Sequence, residues 1–143
     1  MRELQTSIEI DAPPERVWQV LTDFDSYPDW NPFIRSAVGK PEVGAKLENR
    51  LEPPGGRAMT FKPTVLVAEP GRELRWLGRL LLPGIFDGEH IFRIEPLEGG
   101  RARFIQAERF TGLLVPLFSG TLEKTRLGFE AMNEALRQRA ESA

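Results

Sequence analysis

Hydrophobic and polar residues alternate along the first ten positions of the chain. The even-numbered residues from Leu4 to Ile10 share one largely apolar face, and polar residues fill the positions between them. An alternation with a period of two is typical of a strand that buries one face. We therefore expect the chain to begin with a half-buried strand, because a signal peptide would need a continuous apolar segment here.

A helical pattern follows this strand. Pro13-Pro14 suits a first helical turn, and Val17, Leu21 and Phe24 recur at the spacing of one helix face. The next segment, Ser26 to Pro32, contains two prolines and several residues that prefer turns. We expect a short helix followed by a turn or a broken helix.

Short alternating segments fill the middle of the chain, separated by turns rich in Pro and Gly. Frequent turns of this kind favour an antiparallel meander, since parallel strands would need helical crossovers. The longest linker between later strands is expected at Leu81 to Asp87. The predicted strands are Phe33 to Lys40, Ala45 to Glu52, Met59 to Ala68, Glu73 to Leu80, Glu89 to Leu97 and Arg101 to Phe110.

The chain closes with a long amphipathic helix, predicted from Phe118 to Arg139. Its apolar stripe steps by four, three, four, three and four residues through Phe118, Leu122, Thr125, Phe129, Met132 and Leu136. A long helix across a strongly curved sheet leaves a space between them, which predicts a hydrophobic ligand chamber. Gly128 lies beside the stripe, where it either packs closely on the sheet or opens this chamber.

Length and composition restrict the possible functions. The 143 residues, 41% of them hydrophobic, fit a single domain over residues 1–143. Basic and acidic residues are interspersed and the formal net charge is -2, so we expect no nucleic-acid partner. No apolar stretch approaches the roughly 20 residues that span a bilayer, and we expect no integral membrane segment. The chain has no cysteine, which suits the cytoplasm, where we place it.

The last predicted hairpin turns on Glu98-Gly99-Gly100 and fixes which side chains face each other. Pairing Leu97 with Arg101 places His90 opposite Glu108. The face that carries them is otherwise apolar, and charged residues dominate the other face. We therefore expect His90 and Glu108 to face the interior, with a direct or water-bridged hydrogen bond that raises the pKa of His90.

His90 and Glu108 are also the candidates for a catalytic acid and base. They either act in catalysis, anchor the polar group of a ligand, or merely satisfy each other. A serine triad lacks its Gly-x-Ser-x-Gly elbow, and the glycine pairs lack the spacing of a phosphate loop. One histidine and dispersed carboxylates predict no metal site, and we expect no cofactor.

Aromatic and polar residues on the predicted inner faces are the candidate ligand contacts. The loop segments Trp30-Asn31-Pro32 and Leu82-Pro83-Gly84-Ile85-Phe86 carry apolar groups suited to an entrance gate or to a homodimer contact. The candidate ligand-binding residues are Trp18, Trp30, Phe61, Trp76, Phe86, His90, Phe92, Phe104, Gln106, Glu108, Phe110, Leu122, Thr125, Gly128, Phe129 and Met132.

Motifs at the joints of these elements together resemble the SRPBCC superfamily, the helix-grip proteins that include START lipid-transfer domains, polyketide cyclases and the birch pollen allergen. The resemblance covers nearly the whole chain, is strongest to small bacterial members and is specific for the fold. Ring-hydroxylase subunits of the group use an iron site that one histidine cannot supply. The motifs are Ala12-Pro13-Pro14-Glu15-Arg16-Val17-Trp18, Leu21-Thr22-Asp23-Phe24, Tyr27-Pro28-Asp29-Trp30-Asn31-Pro32-Phe33, Pro70-Gly71-Arg72-Glu73-Leu74-Arg75-Trp76, Phe86-Asp87-Gly88-Glu89-His90-Ile91-Phe92 and Glu108-Arg109-Phe110-Thr111-Gly112-Leu113-Leu114.

The sequence thus predicts an α+β helix-grip domain. A curved antiparallel sheet of about seven strands wraps around a long C-terminal helix, with a short helix and a turn after the first strand. The leading hypothesis is non-covalent binding of a small hydrophobic or amphipathic ligand such as a lipid, polyketide or aromatic metabolite. The alternatives are an enzyme of the cyclase or dehydratase kind that uses His90 and Glu108, and a partner-binding domain with a collapsed cavity.

Overall fold

Strands and helices follow one another in the predicted order. The computed structural model describes residues 2–80 and 84–142, and within these ranges it forms eight strands and three α-helices. Short 3₁₀ turns cover Phe24–Ser26, Glu98–Gly100 and Val115–Phe118. The elements are β1 (Arg2–Ile10), α1 (Pro14–Thr22), α2 (Tyr27–Trp30), β2 (Ile34–Val38), β3 (Glu48–Leu51), β4 (Met59–Phe61), β5 (Thr64–Glu69), β6 (Glu73–Leu80), β7 (Phe86–Leu97), β8 (Arg101–Thr111) and α3 (Ser119–Glu141).

The strands form two antiparallel sheets rather than one continuous sheet. Five strands pair in the order β1-β8-β7-β6-β5, and three pair in the order β2-β3-β4. The segment before β3 connects the two sheets, because Lys46 pairs with Thr64 and the Val65 N–H donates to the Ala45 carbonyl at 2.9 Å. Together the two sheets make the curved wall that the helix-grip fold requires.

The predicted strand Met59 to Ala68 is wrong as a single element. It divides at Pro63 into β4 and β5, which belong to different sheets. Proline has no N–H to donate to a ladder, so it interrupts pairing on one side. Its carbonyl still accepts a hydrogen bond, from the Leu47 N–H at 2.8 Å. This division raises the strand number from about seven to eight.

Helix α3 lies across the larger sheet and buries most of the predicted stripe, of which Thr125 is only half-buried. Leu122, Phe129, Met132 and Leu136 are buried, whereas the side chain of Phe118 lies outside the described part of the chain. Arg16 of α1 donates to the Ala140 carbonyl at 3.3 Å and so ties α1 to the end of α3. Of the helices in the described ranges, none is long and apolar enough to cross a membrane.

The β7–β8 hairpin has the predicted register. Leu97 pairs with Arg101, and His90 pairs with Glu108. Strand β7 begins at Phe86, three residues earlier than predicted, and the linker predicted at Leu81 to Asp87 lies partly outside the described residues, at positions 81–83. The register confirms that His90 and Glu108 lie side by side on adjacent strands.

Candidate functional site

A cavity opens between the two sheets and the N-terminal half of α3. The cavity has a volume of about 90 Å³, several times the roughly 15 Å³ that a single water molecule requires, and it opens to solvent. Met59 (39% exposed) and Thr121 are its exposed members and place the mouth between β4 and the start of α3. Its described lining consists of Phe33, Asn49, Leu51, Pro53, Met59, Phe61, Pro63, Trp76, Gly78, Phe86, Gly88, His90, Glu108, Phe110, Thr121, Leu122 and Thr125.

Two glycines on neighbouring strands make room for this cavity. Gly78 of β6 pairs directly with Gly88 of β7, and both line the cavity. A Cβ at Gly88 would lie 2.4 Å from Glu108 Oε2, so the carboxyl group occupies the space that a side chain would fill. A Cβ at Gly78 would meet nothing closer than 3.8 Å. A Cβ here would thus make only ordinary van der Waals contacts, and a longer side chain would extend into the cavity that Gly78 lines.

Strands β7 and β8 hold His90 and Glu108 in contact. His90 Nδ1 lies 3.5 Å from Glu108 Oε1, and His90 Nε2 lies 2.9 Å from Gln106 Oε1. The imidazole is only 3% exposed, and the Trp76, Phe92 and Phe129 rings surround it at centroid distances of 4.4 to 5.4 Å. Both ring nitrogens of His90 thus face protein groups.

A buried chain of hydrogen bonds fixes the tautomer of this histidine. Gln106 Nε2 donates to the Asn133 side chain at 2.7 Å and to the Phe129 carbonyl at 3.4 Å. Because a carbonyl only accepts, the Gln106 amide must turn its oxygen toward His90. His90 Nε2 therefore carries the proton, and Nδ1 presents a lone pair to Glu108. Asn133 continues the chain by donating to Thr6 Oγ1 at 2.8 Å.

Burial keeps both members of the pair uncharged near neutral pH. Desolvation lowers the pKa of His90 to about 4, and the hydrogen bond to Gln106 offsets this only partly. Desolvation also raises the pKa of Glu108 to about 8. The prediction of a raised histidine pKa was wrong, because the loss of hydration inside the aromatic cage outweighs any attraction to a carboxylate. A protonated Glu108 then faces the free lone pair of His90.

Asn49 is a further polar residue of the cavity wall. It lies on β3 opposite Phe61 of β4, and its side chain is almost completely buried. Its Oδ1 has no hydrogen-bond partner among the described residues. Most buried polar atoms in native proteins have a hydrogen-bond partner, so an unpaired buried oxygen such as Asn49 Oδ1 is unusual.

The cavity brings together part of the predicted site and leaves part outside. The predicted residues that line it come from β4, β6, β7, β8 and the first turns of α3, and they are Phe61, Trp76, Phe86, His90, Glu108, Phe110, Leu122 and Thr125. The predicted residues that do not line it are Trp18, Trp30, Phe92, Phe104, Gln106, Gly128, Phe129 and Met132. Most of the second group belongs to the packed core, and Gln106 belongs to the buried hydrogen-bond chain.

The absence of a side chain at Gly128 allows close packing and does not widen the cavity. A Cβ at this position would lie 2.4 Å from the Phe33 ring, which itself forms part of the cavity wall. The missing side chain lets the Phe33 ring approach α3 closely. Of the two roles expected for Gly128, close packing is the one that agrees with this contact, and opening the chamber is not.

The first predicted loop segment, Trp30-Asn31-Pro32, packs against neighbouring residues of the core. Trp30 packs edge-on against Tyr27 with ring centroids 5.3 Å apart, and Asn31 Oδ1 accepts from the Phe33 and Ile34 N–H groups at 2.9 and 2.8 Å. This turn therefore positions Phe33 in the cavity wall. Of the second segment, residues 82 and 83 lie outside the described residues, and Phe86 lines the cavity.

Sequence reasoning missed the wall contributed by the smaller sheet and the mouth. Phe33, Asn49, Leu51, Pro53, Met59, Pro63, Gly78, Gly88 and Thr121 line the cavity without having been predicted to do so. Glycines inside strands were the available signal for close approach or open space. In the described part of the chain, no group of three or more His, Cys, Asp or Glu side chains is placed to hold a metal ion.

Comparisons with known proteins concern the fold of the chain. No curated protein matches the chain in sequence. Among solved structures, the ZhuI aromatase/cyclase from Streptomyces sp. R1128 is 18% identical and superposes with a TM-score of 0.79 over 98% of this chain and 93% of that one. A START superfamily protein from Mycobacterium smegmatis is 22% identical with a TM-score of 0.73 over 97% of each chain. Ara h 8.0201 is 11% identical with a TM-score of 0.74 over 99% of each chain.

These similarities establish the helix-grip fold. A family model described as polyketide cyclase / dehydrase and lipid transport matches residues 1–141, almost the full length of the chain. The resemblance to SRPBCC proteins is thereby confirmed, and the chain belongs to the polyketide cyclase/dehydrase and lipid transport family.

Proposed function

We propose that the protein binds a small, largely apolar molecule non-covalently in its cavity, for transport, sequestration or sensing. The observation that carries the proposal is an open cavity of about 90 Å³ walled by aromatic and aliphatic side chains, with a few buried polar groups among them. Such a combination is typical of small-molecule sites. Family membership supports the same class of ligand, which includes lipids, polyketides and aromatic metabolites.

The open cavity argues against a partner-binding domain with a collapsed interior. Phe92, Phe104 and Phe129 are fully buried, but the cavity lined by Gly78 stays open. An evolved core leaves few voids of this size, because lost contacts in a void reduce stability. A ligand that fills the cavity would recover those contacts.

An acid–base enzyme is the second candidate, and the His90–Glu108 contact of 3.5 Å is the observation that favours it. Glu108 would hold the transferable proton, because its pKa is raised to about 8 by burial. His90 fits the role of a base poorly, since Gln106 and Glu108 already engage its two nitrogens. Binding therefore remains the better-supported function.

Fluorescence titration with N-phenyl-1-naphthylamine, an uncharged apolar probe, tests the proposal. We expect the probe to bind the wild type with a rise in emission and to bind Gly78→Val at least about tenfold more weakly. Valine suits a strand, and its Cβ would meet only ordinary contacts at this position, so the fold should be kept.

Thr60→Val is the matched control. Thr60 is an exposed residue of β4 that lies between the cavity-lining residues Met59 and Phe61, and it is not part of the lining. We expect wild-type affinity in this variant. A wild type that does not bind the probe, or a folded Gly78→Val variant that binds it equally well, would refute ligand binding in this cavity.

A further inference from the structure

Some polar groups of the cavity wall have hydrogen-bond partners within the protein, and one has none. The inference drawn from this difference rests on the proposed binding function. His90 has Gln106 and Glu108 as partners, and Thr125 Oγ1 donates to the Thr121 carbonyl at 2.9 Å. Asn49 Oδ1 is the buried lining atom that has no partner among the described residues.

The position of Asn49 directs its amide toward the cavity. Phe61, directly opposite on β4, lines the cavity, and so does Leu51, two residues further along β3. Directly opposed residues of an antiparallel pair project from the same face, as do residues i and i+2 of a strand. Asn49 is 2% exposed, so bulk water does not replace the missing partner. An unpaired buried acceptor carries a desolvation penalty that a ligand donor would remove.

The charge of the wall restricts what that donor belongs to. Among the described residues that line the cavity, none is Lys or Arg, and Glu108 is the one carboxyl group. An anionic head group would lose its hydration here without gaining a counter-ion, which is strongly unfavourable. A bound anion would also lie close to a group that can itself become negative. The cavity therefore disfavours carboxylates and phosphates.

We propose that Asn49 is a specificity-determining residue of the cavity, and that its Oδ1 accepts a hydrogen bond from the hydroxyl group of an uncharged, otherwise apolar ligand. A hydroxyl group supplies the missing donor without bringing a charge. The surrounding Phe33, Leu51 and Phe61 side chains then cover the apolar body of the ligand.

Three probes that share one skeleton test the inference. At pH 7, 2-naphthol offers a neutral hydroxyl, 2-methoxynaphthalene lacks the donor and 2-naphthoate is an anion. By calorimetric titration, we expect the wild type to bind 2-naphthol about tenfold more tightly than 2-methoxynaphthalene, and 2-naphthoate most weakly of the three. In Asn49→Leu the preference for 2-naphthol over 2-methoxynaphthalene should disappear, whereas Thr60→Val should keep it.

Asn49→Ala repeats the test with a side chain that cannot overpack the wall. The inference is overturned if either folded Asn49 variant keeps the preference for 2-naphthol, if the wild type shows none, or if 2-naphthoate binds most tightly. In each of these cases Gly78-dependent binding of N-phenyl-1-naphthylamine would still uphold the proposed function. Loss of that binding as well would refute both.

Discussion

The interior of the protein has a closed end, where side chains pack tightly, and an open end, where the cavity lies. Helix α3 contributes to both. At the closed end, helix α3 packs Phe129, Met132 and Leu136 onto the sheet, and all three side chains are fully buried. At the open end, the first turns of α3 and the glycine pair of β6 and β7 enclose the cavity. The same elements thus supply stability over one stretch and a binding site over the next.

Buried amides show the same contrast. Gln106 and Asn133 at the closed end are linked to each other, and through them to His90 and Thr6. Asn49 at the open end has an oxygen without a partner in the described structure. A satisfied amide adds to the specificity of the fold, whereas an unsatisfied one costs stability and is informative about a ligand.

Shortening Phe129 to Ala tests the closed end and should produce the largest effect. Phe129 is fully buried and packs edge-on against Phe33 at a centroid distance of 5.6 Å. We expect a loss of about 3 to 5 kcal/mol in the free energy of unfolding, measured by urea denaturation. Leu127→Ala, at a position 48% exposed on the same helix, should cost less than about 1 kcal/mol. Similar losses in the two variants would contradict the assignment of the buried face.

Replacing each buried amide by leucine sharpens the comparison. Gln106→Leu leaves His90 Nε2 and Asn133 Oδ1 without their partners, and we expect a loss of about 2 to 3 kcal/mol in the free energy of unfolding. Asn49→Leu removes an atom that has no partner, so the ligand-free protein should be unchanged or more stable by up to about 1 kcal/mol. Equal destabilisation by both substitutions would mean that Asn49 is already satisfied without a ligand.

Local periodicity made much of the fold predictable. The stripe of α3 and the register of the β7–β8 hairpin depend on short stretches of chain, in which one period decides which side chains face inward. The register is confirmed, and four of the six predicted stripe residues, Leu122, Phe129, Met132 and Leu136, are buried. The division at Pro63 was missed because it depends on which strands pair with β4 and β5, and that is a long-range property.

The site was less predictable because it is defined by what surrounds each residue. Nothing near Asn49 in sequence shows that it lies opposite Phe61, and nothing near Gly78 shows that it pairs with Gly88. The sign of the His90 pKa shift depends on aromatic rings contributed by β6 and α3. Sequence identified the His90–Glu108 pair but not the dry surroundings that decide its charge.

Stability should depend on pH through Glu108, with a smaller effect than the amide substitution. Burial raises the pKa of Glu108 to about 8, and its side chain is 16% exposed. Between pH 6.5 and 8 the folded state keeps a proton that the unfolded chain has lost, so stability should fall as pH rises, by up to about 2 kcal/mol. From pH 4.5 to 6.5 the lowered pKa of His90 acts with the opposite sign and cancels this slope.

Glu108→Gln isolates this contribution. When the free energies of unfolding of variant and wild type are subtracted at each pH, the contributions of the titrating groups that both proteins share cancel. Chemical denaturation at several pH values should show that the variant gains stability relative to the wild type as pH rises from 6.5 to 8. Glu42→Gln, on an exposed loop, controls for the loss of a carboxyl group as such. A constant difference between wild type and Glu108→Gln across this range would show that Glu108 ionises as in the unfolded chain.

NMR of the His90 ring tests the group that lies between the closed end and the open end. This last prediction concerns a tautomer and a pKa, and it involves little change in stability. His90 is the only histidine of the chain, so its ring signals need no residue assignment, and the coupling pattern of each nitrogen to the ring protons distinguishes Nδ1 from Nε2. The orientation of Gln106, anchored on the Phe129 carbonyl, predicts the tautomer with the proton on Nε2. Desolvation predicts a pKa of about 4, and therefore no titration between pH 6 and 8.

Glu108→Gln should leave this tautomer in place, since Gln106 remains. A histidine that titrates at or above 6.5 in the wild type and lower in Glu108→Gln would instead reveal an ion pair, and the cavity wall would then be charged rather than neutral.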